Sequence, residues 1–154
     1  MEKSAAVGAP LTNYLAAKRV GNMHYLSGVI AVDPGVRKVI SSCDDLPAIA
    51  RSQLETLVHA TGQTNVDIFK APAAAQSWFV LNRIKELVQG EGGQMADVFK
   101  LVQYFRDLRH CPAYNRVRGL FCPEPVVSTV VEISHMLPSD AVLIEVEATT
   151  FLPI

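Results

Sequence analysis

The side chains of this chain that could do chemistry stand singly rather than in a strong motif. Glu145 and Glu147 share one side of an alternating run near the C-terminus. A carboxylate there either lies exposed on a strand or reaches into a cleft. Ser128 and Thr129 carry hydroxyls inside a β-branched run, where local hydrogen bonds usually satisfy such groups. Arg106, Arg109, Arg116 and Arg118 gather around one segment, which reads as a solvated face or as an anion site. Tyr14 offers a phenol near the start of the chain and reads equally well as packing at a subunit edge. Three histidines, His24, His59 and His135, fall inside expected elements; His110 does not. None is spaced to share a metal with another, so structural roles are expected and no metal is called for. There is no Walker A loop, no Gly-x-Gly-x-x-Gly after a strand, no His-Glu-x-x-His and no Gly-x-Ser-x-Gly.

Composition limits what those residues can serve. A length of 154 residues suits one domain spanning 1–154, with a core large enough to need no staples. Hydrophobic residues make up 49% and charged residues 19%, which is globular and tilted toward the apolar side. Surplus apolar surface is commonly buried between subunits. Fourteen Lys+Arg balance fifteen Asp+Glu, and no basic run exceeds a pair. Nucleic-acid binders draw most of their affinity from phosphate neutralisation, so a nucleic-acid partner is not expected. Neither a signal peptide nor an apolar run of about 18–20 residues is visible, so no membrane partner is expected either. Cys43, Cys111 and Cys122 form no Cys-x-x-Cys pair and read as reduced thiols of a cytoplasmic protein.

The elements that must position these residues follow from pattern. A strand-forming run begins near Val20, after the Gly21-Asn22 turn signal, and reaches Val32. Asp33-Pro34-Gly35 turns it back into a strand over Val36–Ile40. A helix is expected from Asp44 or Asp45, with Pro47 in its first turn, to Gly62. Its apolar stripe is Leu46, Ala50, Leu54, Leu57, Val58 and Thr61. A second helix covers about 73–89 with a Val80/Leu81/Ile84/Leu87/Val88 stripe, leaving Trp78 and Phe79 off it. Met95–Leu108 reads as a strand with Phe99 and Leu101 on the covered face. Pro112 opens a third helix, and strands are expected over 126–135 and 141–151. Strands and helices interleave without βαβ regularity, which predicts an α+β fold: a mixed sheet with helices on one face.

Several phrases recur at fixed intervals along the chain. They are Tyr14; Val20-Gly-Asn-Met-His-Tyr-Leu-Ser-Gly-Val-Ile; Ala75-Gln76; Ala96-Asp97-Val98-Phe99-Lys100 with Phe105-Arg106-Asp107-Leu108; Tyr114-Asn115-Arg116-Val117; Pro125-Val126-Val127-Ser128-Thr129-Val130; and Leu137-Pro138 followed by Ile144-Glu145-Val146-Glu147-Ala148. In this order they resemble the RidA/YjgF family of reactive-intermediate (enamine/imine) deaminases, also labelled L-PSP endoribonucleases. The resemblance covers roughly 14–40 and 73–151, and the stretch at about 42–72 reads as an insertion between hairpin and helix.

The resemblance implies a chorismate-mutase-like domain forming a homotrimer, with a small-molecule ligand in clefts between subunits and no cofactor. It implies a catalytic role for Glu145, positioning the water that hydrolyses an imine to ammonia and a 2-keto acid. It implies substrate binding by Tyr14 and by the stretch Val127, Ser128 and Thr129. Val127 is a departure, because the family places an arginine there. A guanidinium fork grips a carboxylate through two charge-assisted bonds, which valine cannot do. Three functions follow as alternatives: a deaminase-like hydrolase with altered substrate range, a non-catalytic ligand-binding protein of the same fold, and, from the older label, a ribonuclease. The inserted helix is expected to pack its Leu46/Leu54/Leu57/Val58 stripe over Trp78 and Phe79 rather than to act as a lid.

Overall fold

The computed structural model describes residues 13–60 and 72–153, without the side chains of 58–60. Gly21, at φ +60°, turns β1 (Ala17–Val20) into β2 (Met23–Leu26). The chain breaks at Ser27-Gly28 before the two-residue β3 (Val29–Ile30). A separate hairpin pairs β4 (Val32–Asp33) with β5 (Lys38–Val39). There Asp33 Oδ1 accepts from the Gly35 and Val36 amides at 2.8 and 3.3 Å. After two helices comes β6 (Val98–Phe105), then a helix, β7 (Val127–Glu132) and β8 (Ile144–Phe151). The main sheet runs β1-β2-β8-β6-β7, with β3 also beside β8. All pairs are antiparallel except β6 and β7, which are joined through the intervening helix. This is the mixed α+β sheet expected.

Strand alternation sorts the sheet into a covered and an open face. Ile144, Val146, Ala148 and Thr150 of β8 are buried with Leu101, Gln103 and Phe105 of β6. Against them lies α2 (Pro72–Gly90), whose Val80, Leu81, Ile84 and Val88 are fully buried. Beside it lies α3 (Cys111–Phe121), which buries Tyr114, Val117 and Phe121. Phe105 meets Tyr114 edge-on at 5.4 Å. Gln76 at the start of α2 ties distant segments together: its Nε2 donates to the Ile40 and Ala141 carbonyls, and its Oε1 accepts from the Leu143 amide, all at 2.8–2.9 Å.

Four expectations need correction. Phe99 was assigned to the covered face but is exposed. The β6–β8 register slips between Val98 and Lys100, and this bulge lets Val98 and Leu101 both point inward. The inserted helix does not begin at Asp44 or Asp45. Those residues form a 3-10 turn, Cys43–Asp45, and α1 runs Ala48–Ala60. Asp45 closes that turn with its carboxylate, which takes Lys38 Nζ, the Ser41 amide and the Ser41 hydroxyl, each at 2.8 Å. The returning strand is only Lys38–Val39, and an earlier strand, β1, precedes the Gly21 turn.

Trp78, read as lying off the sheet-facing stripe and covered by the inserted helix, is buried. It reaches α1 through a 2.8 Å bond from its indole N–H to Gln53 Oε1, and meets Phe121 edge-on at 6.0 Å. Leu46, Ala50 and Leu54 join the same cluster, with Leu57 at its margin. Phe79 stays half-buried, in a shallow pocket of about 180 Å3 shared with Asp33, Pro47 and Arg83. The side chain of Val58, Thr61 and the expected stop at Gly62 lie outside the described residues.

Candidate functional site

The open face of the sheet collects most of the site residues expected from sequence. Alternation puts Glu145 and Glu147 of β8, Tyr104 of β6, and Val127 and Thr129 of β7 on this side. Glu145 is half-buried. Its register partners are Tyr104 on one side and Ile30 of β3 on the other. Burial pushes its carboxyl above the ordinary range, and the neighbouring Glu147 pushes it further the same way. Tyr104 donates its hydroxyl to Glu147 Oε1 at 3.2 Å. Burial and the two carboxylates raise the Tyr104 phenol as well. A carboxyl raised in this way is shifted toward the proton-holding form, the direction that general acid–base work uses.

Gly28 makes room for that carboxyl. A Cβ built there would stand 2.8 Å from Glu145 Cδ and 3.0 Å from Cγ. The backbone of Gly28 is outside the left-handed region, so space and not conformation asks for glycine. The turn is tied down from the chain start. Ser27 donates its amide to the Ala16 carbonyl at 2.9 Å and its hydroxyl to the Leu15 carbonyl at 2.6 Å. Exposed Tyr14 therefore stands on a segment fastened next to the Ser27-Gly28 turn.

The second group sits elsewhere. Val127 pairs with Lys100 and Glu145 with Tyr104, on opposite flanks of β6. Four residues along the strand and two strand spacings across put Glu145 and Val127 about 16 Å apart in one chain. One copy of the chain therefore does not bring Glu145 and Val127 into one pocket. Val127 is 62% exposed, and every residue of β7 is exposed along this sheet edge. Ser128 departs from its neighbours by facing the helices. Its hydroxyl takes Gln103 Nε2 at 2.8 Å, and the same amide group donates to the Thr129 carbonyl at 2.9 Å. Arg118 of α3 reaches Gln103 Oε1 at 3.3 Å and approaches Ser128 Oγ at 3.5 Å.

The four arginines thus do not form one solvated face. Arg106 pairs with Asp140, and Arg109 with Asp107, whose carboxyl it pulls down to about 2. Arg118 braces the β7 edge. Among the described residues no group of histidine, cysteine and acidic side chains is arranged to hold a metal, and no disulfide joins Cys43, Cys111 or Cys122. Among the described residues no helix is long and apolar enough to cross a membrane. Pattern reasoning missed Gly28, Tyr104 and Gln103 as parts of the site. Gln103 had a signal, a lone amide in the otherwise apolar Leu101/Gln103/Phe105 alternation. Tyr104 and Gly28 had none beyond their places in strand phrases.

The comparisons with known proteins fit this geometry. A RutC family protein of Sulfurisphaera tokodaii is 30% identical over 135 residues, which is 87% of this chain and 84% of that protein. The chain belongs to the RutC/RidA/YjgF family. No protein-family model matches it. Another RutC relative, the 3-aminoacrylate deaminase RutC of Acinetobacter baylyi, is 26% identical over 115 residues, covering 75% of this chain and 68% of that one. Among solved structures, a candidate endoribonuclease from Klebsiella pneumoniae is 50% identical with a TM-score of 0.80, covering 91% of this chain and all of that one. The RutC/RidA/YjgF fold therefore accounts for the sheet and its helix-covered face.

Proposed function

We propose that this protein is a RidA-like hydrolase of imine- or enamine-type metabolites, acting in clefts between the subunits of a homotrimer. The observation that carries the reading is the Glu145 carboxyl, fitted against Gly28, raised by burial and set beside Tyr104. In the neutral form Glu145 can give a proton to an imine nitrogen; as carboxylate it can take one from the attacking water. Water adds to the imine carbon, the C–N bond breaks, and ammonia leaves with the keto product. No cofactor takes part in these steps. A one-chain separation of about 16 Å between Glu145 and Val127 supports an intersubunit site, in which another copy brings its Val127 to Glu145. The exposed, β-branched β7 edge supports the same assembly.

Val127 shifts the substrate range. A 2-imino acid needs its carboxylate oriented as well as attracted, and the arginine fork that would do so is absent. Ammonia release should therefore be near background for 2-aminoacrylate, increase in Val127→Arg, and disappear in Glu145→Gln of that variant. Fast wild-type release of ammonia from 2-aminoacrylate, or a Glu145→Gln variant as active as its parent, refutes the reading. The alternative is a non-catalytic binding protein with the same cleft, favoured by Val127 alone; it predicts no ammonia release from any imine, even in Val127→Arg. A ribonuclease is disfavoured by the balanced charge and the lack of a basic stripe.

A further inference from the structure

Removing the family's arginine from a cleft leaves the question of what charge remains there. The register of the sheet answers it. Lys100 of β6 is the direct cross-strand partner of Val127, and both project from the open face. Directly opposed residues have Cβ atoms about 5 Å apart, so a four-carbon stem places an ammonium within the volume that a guanidinium built on residue 127 would sweep. Lys100 is exposed. Among the described residues it forms no ion pair. The nearest carboxylate on the same face in register terms is Glu147, diagonal to it across β8, and that carboxylate is engaged by the Tyr104 hydroxyl. On its other flank Lys100 faces Thr149, which carries no charge. The bulge between Val98 and Lys100 sets this orientation: it consumes Phe99 as the extra residue and leaves Lys100 in step with Val127.

We infer that Lys100 supplies the cation of this cleft, so that the site binds an anionic group of its ligand as a point charge and not through a fork. The inference rests on the intersubunit cleft proposed above and deepens it by naming the ligand class. An ammonium attracts a carboxylate, or any compact anion, without fixing the plane of the group. Such a site binds a 2-keto or 2-imino acid yet orients it poorly, in line with the low ammonia release from 2-aminoacrylate predicted above, and leaves room for ligands whose anion sits differently from their C=N carbon. Arg118, the other cation near this edge, works on the helix side through Gln103 and Ser128 and does not share the face of Val127.

The test is equilibrium binding, which needs no turnover. Pyruvate is the anionic probe and methyl pyruvate its neutral counterpart, each titrated by NMR into the wild-type protein and its variants. Pyruvate should bind the wild type about tenfold more tightly than methyl pyruvate, the gain of one partly solvated charge contact. Lys100→Met should abolish that preference, Lys100→Arg should keep it, and Val127→Arg should enlarge it. Equal binding of the two probes to wild type overturns the inference. So does a preference that survives Lys100→Met, or one lost in Arg118→Met instead. Failure here together with Glu145-dependent ammonia release in Val127→Arg refutes only the role of Lys100. Lys100-dependent binding without ammonia release from any imine supports Lys100 and refutes the hydrolase.

Discussion

Gly28→Ala separates a structural role for Glu145 from a chemical one. The new methyl would meet Glu145 at 2.8 Å from Cδ and 3.0 Å from Cγ, too close to stand. What must give is the far end of a flexible side chain and not backbone. Pushing Glu145 off its rotamer costs about 0.5–1.5 kcal/mol. Against that, alanine removes backbone freedom from the unfolded chain, which returns about 0.4–1 kcal/mol where the conformation is compatible. Gly28 has such a conformation, so the net stability change should be within about 1 kcal/mol of zero. The chemical effect should be large, because moving a reacting group by about 1 Å costs on the order of 100-fold in rate. Chemical denaturation gives the first number and ammonia release in the Val127→Arg background the second. A carboxyl-carbon NMR titration adds a readout independent of turnover. Glu145 should titrate above the ordinary glutamate range in wild type and fall back toward it in Gly28→Ala, as the displaced carboxyl gains solvent. If the variant stays folded with Glu145 still titrating high and the rate unchanged, the fit between Gly28 and Glu145 has no part in function.

Other consequences concern the frame around the site. His24 is buried with no partner at Nδ1, and burial pulls its imidazole below the ordinary 6.5 despite the opposing pull of Glu91. The unfolded chain binds that proton more tightly, so the stability linked to neutral His24 is present above about pH 6.5 and lost as pH falls toward the folded-state value. Melting curves of His24→Leu should show a flatter pH dependence below that point; an unchanged slope refutes the assignment. The Tyr114 hydroxyl is buried without a partner, so Tyr114→Phe should be neutral or stabilising by about 1 kcal/mol while keeping the Phe105 contact. A clear loss of stability there would point to a bond that the fold does not display. Leu54→Ala should cost about 2–4 kcal/mol, because Leu54 is almost wholly buried in the cluster that α1 shares with Trp78. The Trp78 emission should shift red with it, and an unshifted spectrum would show that α1 does not shield the indole.

What could be read from the sequence was decided by period and by turn chemistry. The alternation of β8 placed Ile144, Val146 and Ala148 inward and Glu145 outward, as observed. Gly21-Asn22 and Asp33-Pro34-Gly35 marked real turns. Phe99 went wrong because a bulge adds one residue to one strand only, and nothing in Val98-Phe99-Lys100 announces it. Trp78 could be read as needing a cover because it falls off the sheet-facing stripe; α2 meets the sheet with one flank and α1 and α3 with another. The pairing of Val127 with Lys100 was out of reach for a different reason. It depends on the parallel register of two strands joined by a helix, which no local pattern encodes.

The three bonds of Gln76 make the last strand a dependent part of the whole. One amide side chain joins the start of α2 to Ile40, 36 residues earlier, and to Ala141 and Leu143, 65 and 67 residues later. All three bonds stand together only when hairpin, helix and C-terminal segment have arrived, and the departure of either partner segment breaks its share. Shedding β8 with the 141–143 segment would leave the buried Gln76 Oε1 without its partner and bare the edges of β2 and β6 at once. Such a knot removes the partly open states through which the C-terminal strand could fray. The backbone amide of Leu143 should then exchange its hydrogen with solvent only when the entire domain opens, and its slow rate is a direct gauge of global stability.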